Sequence, residues 1–237
     1  MNSTRAIFSR ELKGFFNSPM AYIFLVIFAL VNGYFFTNTF FLFGQSDLRA
    51  LFDIVPLVYL FFIPAVSMGL ISREKSIGTM EIMATLPLSS FEFVMGKFLA
   101  ALSLILLALF STSIHFLTLL SVGTNVDHGA VLCGYLGLAL MGATYAAIGT
   151  YASSVTENQV VSFIIGVFLV LVFFMLDKTL LFVPYSLAGI IQFLAVDYHL
   201  SNIARGVIDT RNLIYFISMI AFFLFLTVQT LEVRRWR

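Results

Sequence analysis

Residues 72–97 read SREKSIGTMEIMATLPLSSFEFVMGK. Three basic residues (Arg73, Lys75, Lys97) and three acidic ones (Glu74, Glu81, Glu92) share this stretch, which lies between two long apolar runs. Ile77, Met80 and Met83 recur at helical spacing until Pro87. Ser89 and Glu92 then have the S-x-x-E spacing of a capping box, the start of a second helix. The pattern predicts two short helices with a bend between them, a charged knob at a membrane surface. A knob of this kind either docks a cytosolic partner and transmits force or is a plain connecting loop.

The flanking runs decide the class. Of 237 residues, 60% are hydrophobic and only 11% are charged, and the mean hydropathy is +1.02. A soluble domain carries about 25% charged residues, so lipid solvates most of this chain. The formal net charge of +1 says nothing about nucleic acid, and no basic stripe suggests it, so no nucleic-acid partner is expected. The lone cysteine, Cys133, cannot form an intramolecular disulfide or a cysteine metal cluster, and its apolar neighbourhood marks it as a buried thiol. No cleavable signal peptide is expected, because the first 18 residues are polar and amphipathic and the following apolar run is too long for an h-region.

A helix needs about 20 apolar residues to cross the hydrocarbon core. Five runs qualify, at 20–41, 52–71, 98–122, 130–152 and 160–176, and a sixth covers 213–231. The segment 180–196 is apolar but borderline in length, with Pro184 near its start, and reads as re-entrant or interfacial. With six spans and a cytoplasmic N-terminus, nine basic residues fall inside (Arg5, Arg10, Lys13, Arg73, Lys75, Lys97, Arg234, Arg235, Arg237) and four outside (Arg49, Lys178, Arg205, Arg211). Seven spans would make that eight against five, so the positive-inside rule favours six and puts both termini in the cytoplasm. Ahead of the first span, residues 4–18 form an amphipathic helix with Phe8, Leu12, Phe15 and Phe16 on one face. Arg5, Ser9, Arg10 and Lys13 lie mostly opposite, as in helices that lie in the headgroup plane. The plainer alternative is a topogenic flank. Pro19 breaks that helix where the chain must turn into the bilayer.

Ion-coupled transporters and intramembrane enzymes need ionisable groups at mid-depth, and this chain has few. His115 lies inside the third span, where a hydrogen bond to a neighbouring helix is the ordinary expectation. Asp53 and Asp177 sit at span ends. The outer pairs Asp127-His128 and Asp197-Tyr198-His199 are too sparse for a metal site. Gly96-Lys97 is followed by Phe98, and Phe91 stands where a P-loop needs glycine, so no nucleotide-binding loop is present. The chain reads as a non-enzyme that binds no cofactor. The fourth span carries small-x-x-x-small repeats, Ala139/Ala143/Ala147 and Gly142/Ala146, which suit close packing within one protomer or at a dimer seam.

Taken together, these pieces resemble the membrane subunit of an ABC-2 type (type V exporter-like) ABC transporter over nearly the whole chain. Arg73-Glu74-Lys75-x-x-Gly78-Thr79-Met80-Glu81, then Leu86-Pro87 and Glu92-x-x-x-Gly96-Lys97, is similar to the family loop that seats a coupling helix on the ATPase. Gly149 with Ser153-Ser154-Val155-Thr156-Glu157-Asn158-Gln159 resembles the family's second cytoplasmic turn. The stretch from Asn202 through Arg205 to Asp209, with Tyr215-Phe216, is similar to the gliding-motility-associated GldF-like subgroup.

The resemblance implies an all-α membrane protein of six transmembrane helices, forming one ABC-2 domain over residues 1–237. Its parts would be the interfacial helix, a coupling loop at 73–97 and a re-entrant or external helical segment at 178–211. It implies a permease subunit of an ATP-driven exporter in a bacterial cytoplasmic (inner) membrane, paired with a second permease copy or paralogue. ATP and Mg2+ would be bound by partner cytosolic ATPase subunits. An accessory protein with a large extracytoplasmic domain and membrane lipid are further partners it implies. The coupling residues would be Arg73, Glu74, Lys75, Gly78, Thr79, Glu81, Pro87, Glu92 and Lys97. Ser154, Thr156, Glu157 and Asn158 would form the second turn, and Tyr185, Tyr198, Arg205 and Asp209 would mark the external segment. The rival reading is a structural or force-transmitting subunit of an envelope assembly that moves no free solute.

Overall fold

The computed structural model describes residues 2–42, 47–80, 88–123, 126–207 and 209–235, and the regular structure among them is entirely helical. Helix α1 (Asn2–Asn17) ends at Ser18, whose extended backbone and hydroxyl bond to the Phe15 carbonyl (3.0 Å) turn the chain. Pro19 opens α2 (Pro19–Thr37) at a position where its missing N–H is not needed. A π-helical turn, Asn38–Leu42, ends the first span. There follow α3 (Arg49–Ser67), α4 (Ser72–Ile77), α5 (Ser90–Ser111), α6 (Ser113–Val122), α7 (His128–Val155) and α8 (Gln159–Thr179). A 3-10 turn, Leu180–Phe182, leads to α9 (Tyr185–Leu194), α10 (Val196–Ala204) and α11 (Thr210–Arg235).

Six segments are long and apolar enough to cross a membrane: Pro19–Phe41, Leu51–Ile77, Ser90–Val122, His128–Val155, Gln159–Thr179 and Thr210–Val233. The segment 180–196 does not make a seventh. It is broken between the 3-10 turn and α9, and a ten-residue helix reaches only about 15 Å against a core of about 30 Å.

Helix α7 is the axis of the molecule, packed against α3, α5, α8, α10 and α11. Its small residues make this possible. A Cβ on Gly149 would stand 1.9 Å from Ser67 Oγ, so only glycine lets α7 and α3 approach this closely. Ala143, Ala146 and Ala147 are buried in the same core. The small-residue repeats therefore serve packing within the protomer.

The third span is less regular than its sequence implies. The helix resets at Thr112, between α5 and α6, and Tyr135 of α7 covers the break. Its hydroxyl donates to the Thr112 carbonyl (3.0 Å) while the Thr112 hydroxyl lies 3.2 Å from it. His115, just beyond, stacks on Phe36 of α2 with ring centroids 4.5 Å apart. Ring stacking takes the place of the expected hydrogen bond.

Candidate functional site

The charged knob is anchored in ways its local pattern does not show. Ser89 caps α5, accepting from the Glu92 N–H at 3.1 Å, while Glu92 returns to the Ser89 N–H at 3.4 Å, so the capping box forms as expected. The second helix is not a separate short one, however. It runs unbroken from Ser90 into the third span, because no residue between Phe91 and Lys97 interrupts the ladder. On the other side of the knob, α4 ends at Gly78, whose φ of 79° is the left-handed conformation that closes a helix. Glu81 and Pro87 lie outside the described residues.

Lys97 stands at the centre. It is only 1% exposed, and its ammonium meets Glu11 of α1 at 3.0 Å and Glu74 of α4 at 3.1 Å. Arg10 closes the group from outside, 2.8 Å from Glu11 and 2.6 Å from Glu74. Burial disfavours the charge on Arg10, but the Glu11 hydrogen bond and the charge of Glu74 outweigh it and raise the guanidinium above its ordinary pKa. A buried ammonium is tolerable only when paired, and here two carboxylates supply the pairing. The three segments α1, α4 and α5 are thus tied into one charge node. Helix α1 packs against α5, with Ile7 seated on Gly96, where a Cβ would come within 2.8 Å of it.

A second tie joins α4 to the end of α7. Ser153, fully buried, accepts from the backbone N–H groups of Ile71 and Ser72 (3.0 Å each) and donates to the Met68 carbonyl at 2.7 Å. One hydroxyl therefore caps α4 and closes the turn out of α3. Lys75, also buried, donates to the Ser154 carbonyl. Asn158 caps α8 by accepting from Val160 at 2.9 Å. The described parts of the two turns singled out in the sequence, around α4 and at the end of α7, are brought together.

The tied residues differ from those that face outward. Lys75 and Lys97 point inward. Arg73, Gly78, Glu157 and Asn158 are exposed, Thr79, Glu92 and Thr156 are half-buried, and Ile77 is 63% exposed beside them. The node presents this mixed patch as a preorganised surface. Sequence reasoning passed over Glu11, and it placed Arg10 only among the cationic flank and Ser153 only within the second turn. Only the i to i+1 alternation of Arg10-Glu11 on an otherwise cationic helix signalled an inward acid.

At the opposite end of the molecule, Lys178 pairs with Asp197 (2.7 Å) and Asp177 (3.3 Å), stitching α8 to α10. Tyr198 is half-buried on α10, Arg205 is exposed just past its end, and Asp209 precedes α11, accepting the Arg211 N–H at 2.9 Å. Tyr185 begins α9, and its side chain lies outside the described residues.

A family model described as ABC-2 family transporter protein matches residues 5–227. No curated protein sequence matches the chain.

Proposed function

The chain belongs to the ABC-2 family of transporter proteins, and from that membership we propose that it is the permease subunit of an ATP-driven exporter. In this reading it is embedded by six spans in a bacterial cytoplasmic membrane, with the charge node and both termini inside. Two cytosolic ATPase subunits bind below, and a second permease copy or paralogue completes the pair. The observation that carries the reading is the tie of α1, α4, α5 and α7 beneath an exposed patch of Arg73, Ile77, Glu157 and Asn158. Force applied to that patch reaches two membrane helices through buried bonds rather than through a flexible loop. An exposed isoleucine on a short helix among charges also suits a groove-binding partner. The likeness of 202–209 to GldF-like permeases supports that subgroup and an extracytoplasmic accessory protein.

The test is Ile77→Asp, at a side chain that is 63% exposed and makes none of the node's hydrogen bonds or ion pairs among the described residues. Reconstituted with its ATPase, this variant is expected to keep its thermal stability and lose at least about tenfold in lipid-stimulated ATP hydrolysis, the equivalent of roughly 1.4 kcal/mol of lost coupling. Full stimulation by the variant would refute the docking assignment. Stimulated hydrolysis in the unaltered complex with no movement of any amphiphile would favour the force-transmitting alternative.

A further inference from the structure

At the end of the molecule away from the charge node, α9, α10 and the start of α11 enclose an open cavity of about 380 Å3, a size typical of small-molecule sites. Its floor is preorganised. Both ring nitrogens of the buried His199 are engaged, Nδ1 with the Asn212 amide at 2.7 Å and Nε2 with the Phe193 carbonyl at 2.9 Å. The imidazole stacks on Tyr215 at 3.9 Å between centroids, and the Tyr215 hydroxyl donates to the Leu194 carbonyl at 2.7 Å. Asn212 is itself only 5% exposed. The Phe193 carbonyl can only accept, so Nε2 carries the His199 proton and Nδ1 accepts from the Asn212 amide nitrogen, which leaves the amide oxygen of Asn212 without a partner among the described residues.

Two opposite charges, Asp209 and Arg211, line the same cavity. Among the described residues the Asp209 carboxylate accepts only the Arg211 backbone N–H, and the Arg211 guanidinium makes no ion pair. A wholly anionic ligand would gain at Arg211 and lose at Asp209. A zwitterion gains at both, since each of its charges meets the opposite sign. Guanidinium geometry suits a phosphate. The acceptors beside it, the Asp209 carboxylate and the amide oxygens of Gln192 and Asn202, suit a primary ammonium, which offers N–H donors. A quaternary ammonium offers none and is recognised by aromatic cages, whereas the His199 and Tyr215 faces are already stacked on each other. At the mouth, Phe193 and Ile214 are 60% and 65% exposed. Apolar side chains so placed on a membrane protein face acyl chains.

We propose that this cavity binds the phosphoethanolamine headgroup of a membrane lipid. The phosphate sits at Arg211, the ammonium sits at Asp209 and the free amide oxygen of Asn212, and the acyl chains leave past Phe193 and Ile214. The site works without the ATPase, so its test is separate from the permease reading. Native mass spectrometry of the full chain, delipidated and then supplied singly with phosphatidylethanolamine, phosphatidylglycerol or phosphatidylcholine, should show one retained phosphatidylethanolamine. Its preference over the other two should be about fivefold or more, and Arg211→Gln should lower its occupancy about tenfold, or roughly 1.4 kcal/mol. Asp209→Asn keeps a helix-capping oxygen yet should let phosphatidylglycerol bind at least as well as phosphatidylethanolamine. Arg211 is exposed, so its arm stands whatever the Asp209 change does to the cap. Equal retention of the three lipids, or unchanged preference in both variants, would overturn the proposal. Displacement of the lipid by millimolar free phosphoethanolamine would also overturn it, by making the soluble headgroup the ligand.

Discussion

Lys97 shows how one side chain can be structural inside a loop whose other members face outward. Its ammonium has left water almost completely, and Glu11 and Glu74 make that possible from two different helices. Removing Lys97 leaves Glu11 and Glu74 to share the half-exposed Arg10 alone, and breaking a buried pair typically costs about 3–5 kcal/mol. Lys97→Met is therefore expected to lower stability by about 3 kcal/mol, read as a shifted denaturation midpoint in mixed micelles. The triple change Lys97→Met, Glu11→Gln, Glu74→Gln should recover part of that loss, because the charges then disappear together. A triple variant no more stable than the single one would argue against the ion pairs as the source. Ser153 is the neutral counterpart, one hydroxyl serving two N–H donors and one carbonyl.

At the level of elements, the knob is held because α1 lies in a notch cut for it. Gly96 supplies the notch, with Ile7 Cβ 2.8 Å from where a side chain would begin. Gly96→Leu should push α1 away, exposing it to limited proteolysis at Arg5, Arg10 or Lys13 while the spans stay folded. Unchanged protease resistance would mean that α1 is held by the charges alone. What is legible in the sequence divides along these lines. The Ser89–Glu92 capping box and the break at Pro19 are local, so neighbouring residues are enough to announce them. The Lys97–Glu11 pair spans 86 residues and the Tyr135 cover of Thr112 spans 23. Neither leaves a mark at its own position, since serine and threonine are ordinary guests in membrane helices and a lysine at a span end reads as a snorkelling charge. The continuity of α5 into the span is hidden for a similar reason: Glu92 and Lys97 look like loop charges until their partners are known.

For the whole molecule, six candidate spans and a broken seventh segment stand among the described residues, and the proposed topology has both chain ends in the cytoplasm. In a Cys133→Ala background, a cysteine at Ser201 should react with an impermeant thiol reagent in spheroplasts, and one at Asn2 should react only after lysis. Labelling at Asn2 in intact spheroplasts would invert the assigned orientation and move the charge node outside. The six-span count is legible in composition and the positive-inside bias. The division of labour between the two ends is not, because a tied charge node at one end and a preorganised polar cavity at the other arise only when α7 gathers five helices around it.

The tie between Glu11 and Lys97 also orders the molecule's birth. Glu11 leaves the ribosome 86 residues before its partner, and at about 5–20 residues per second that delay is on the order of ten seconds. Throughout it, α1 must wait with only Arg10 beside its acid and its phenylalanines unpacked. The headgroup layer is the natural waiting place for such a helix, so the amphipathic pattern of α1 describes the nascent protein, and the notch at Gly96 describes the mature one.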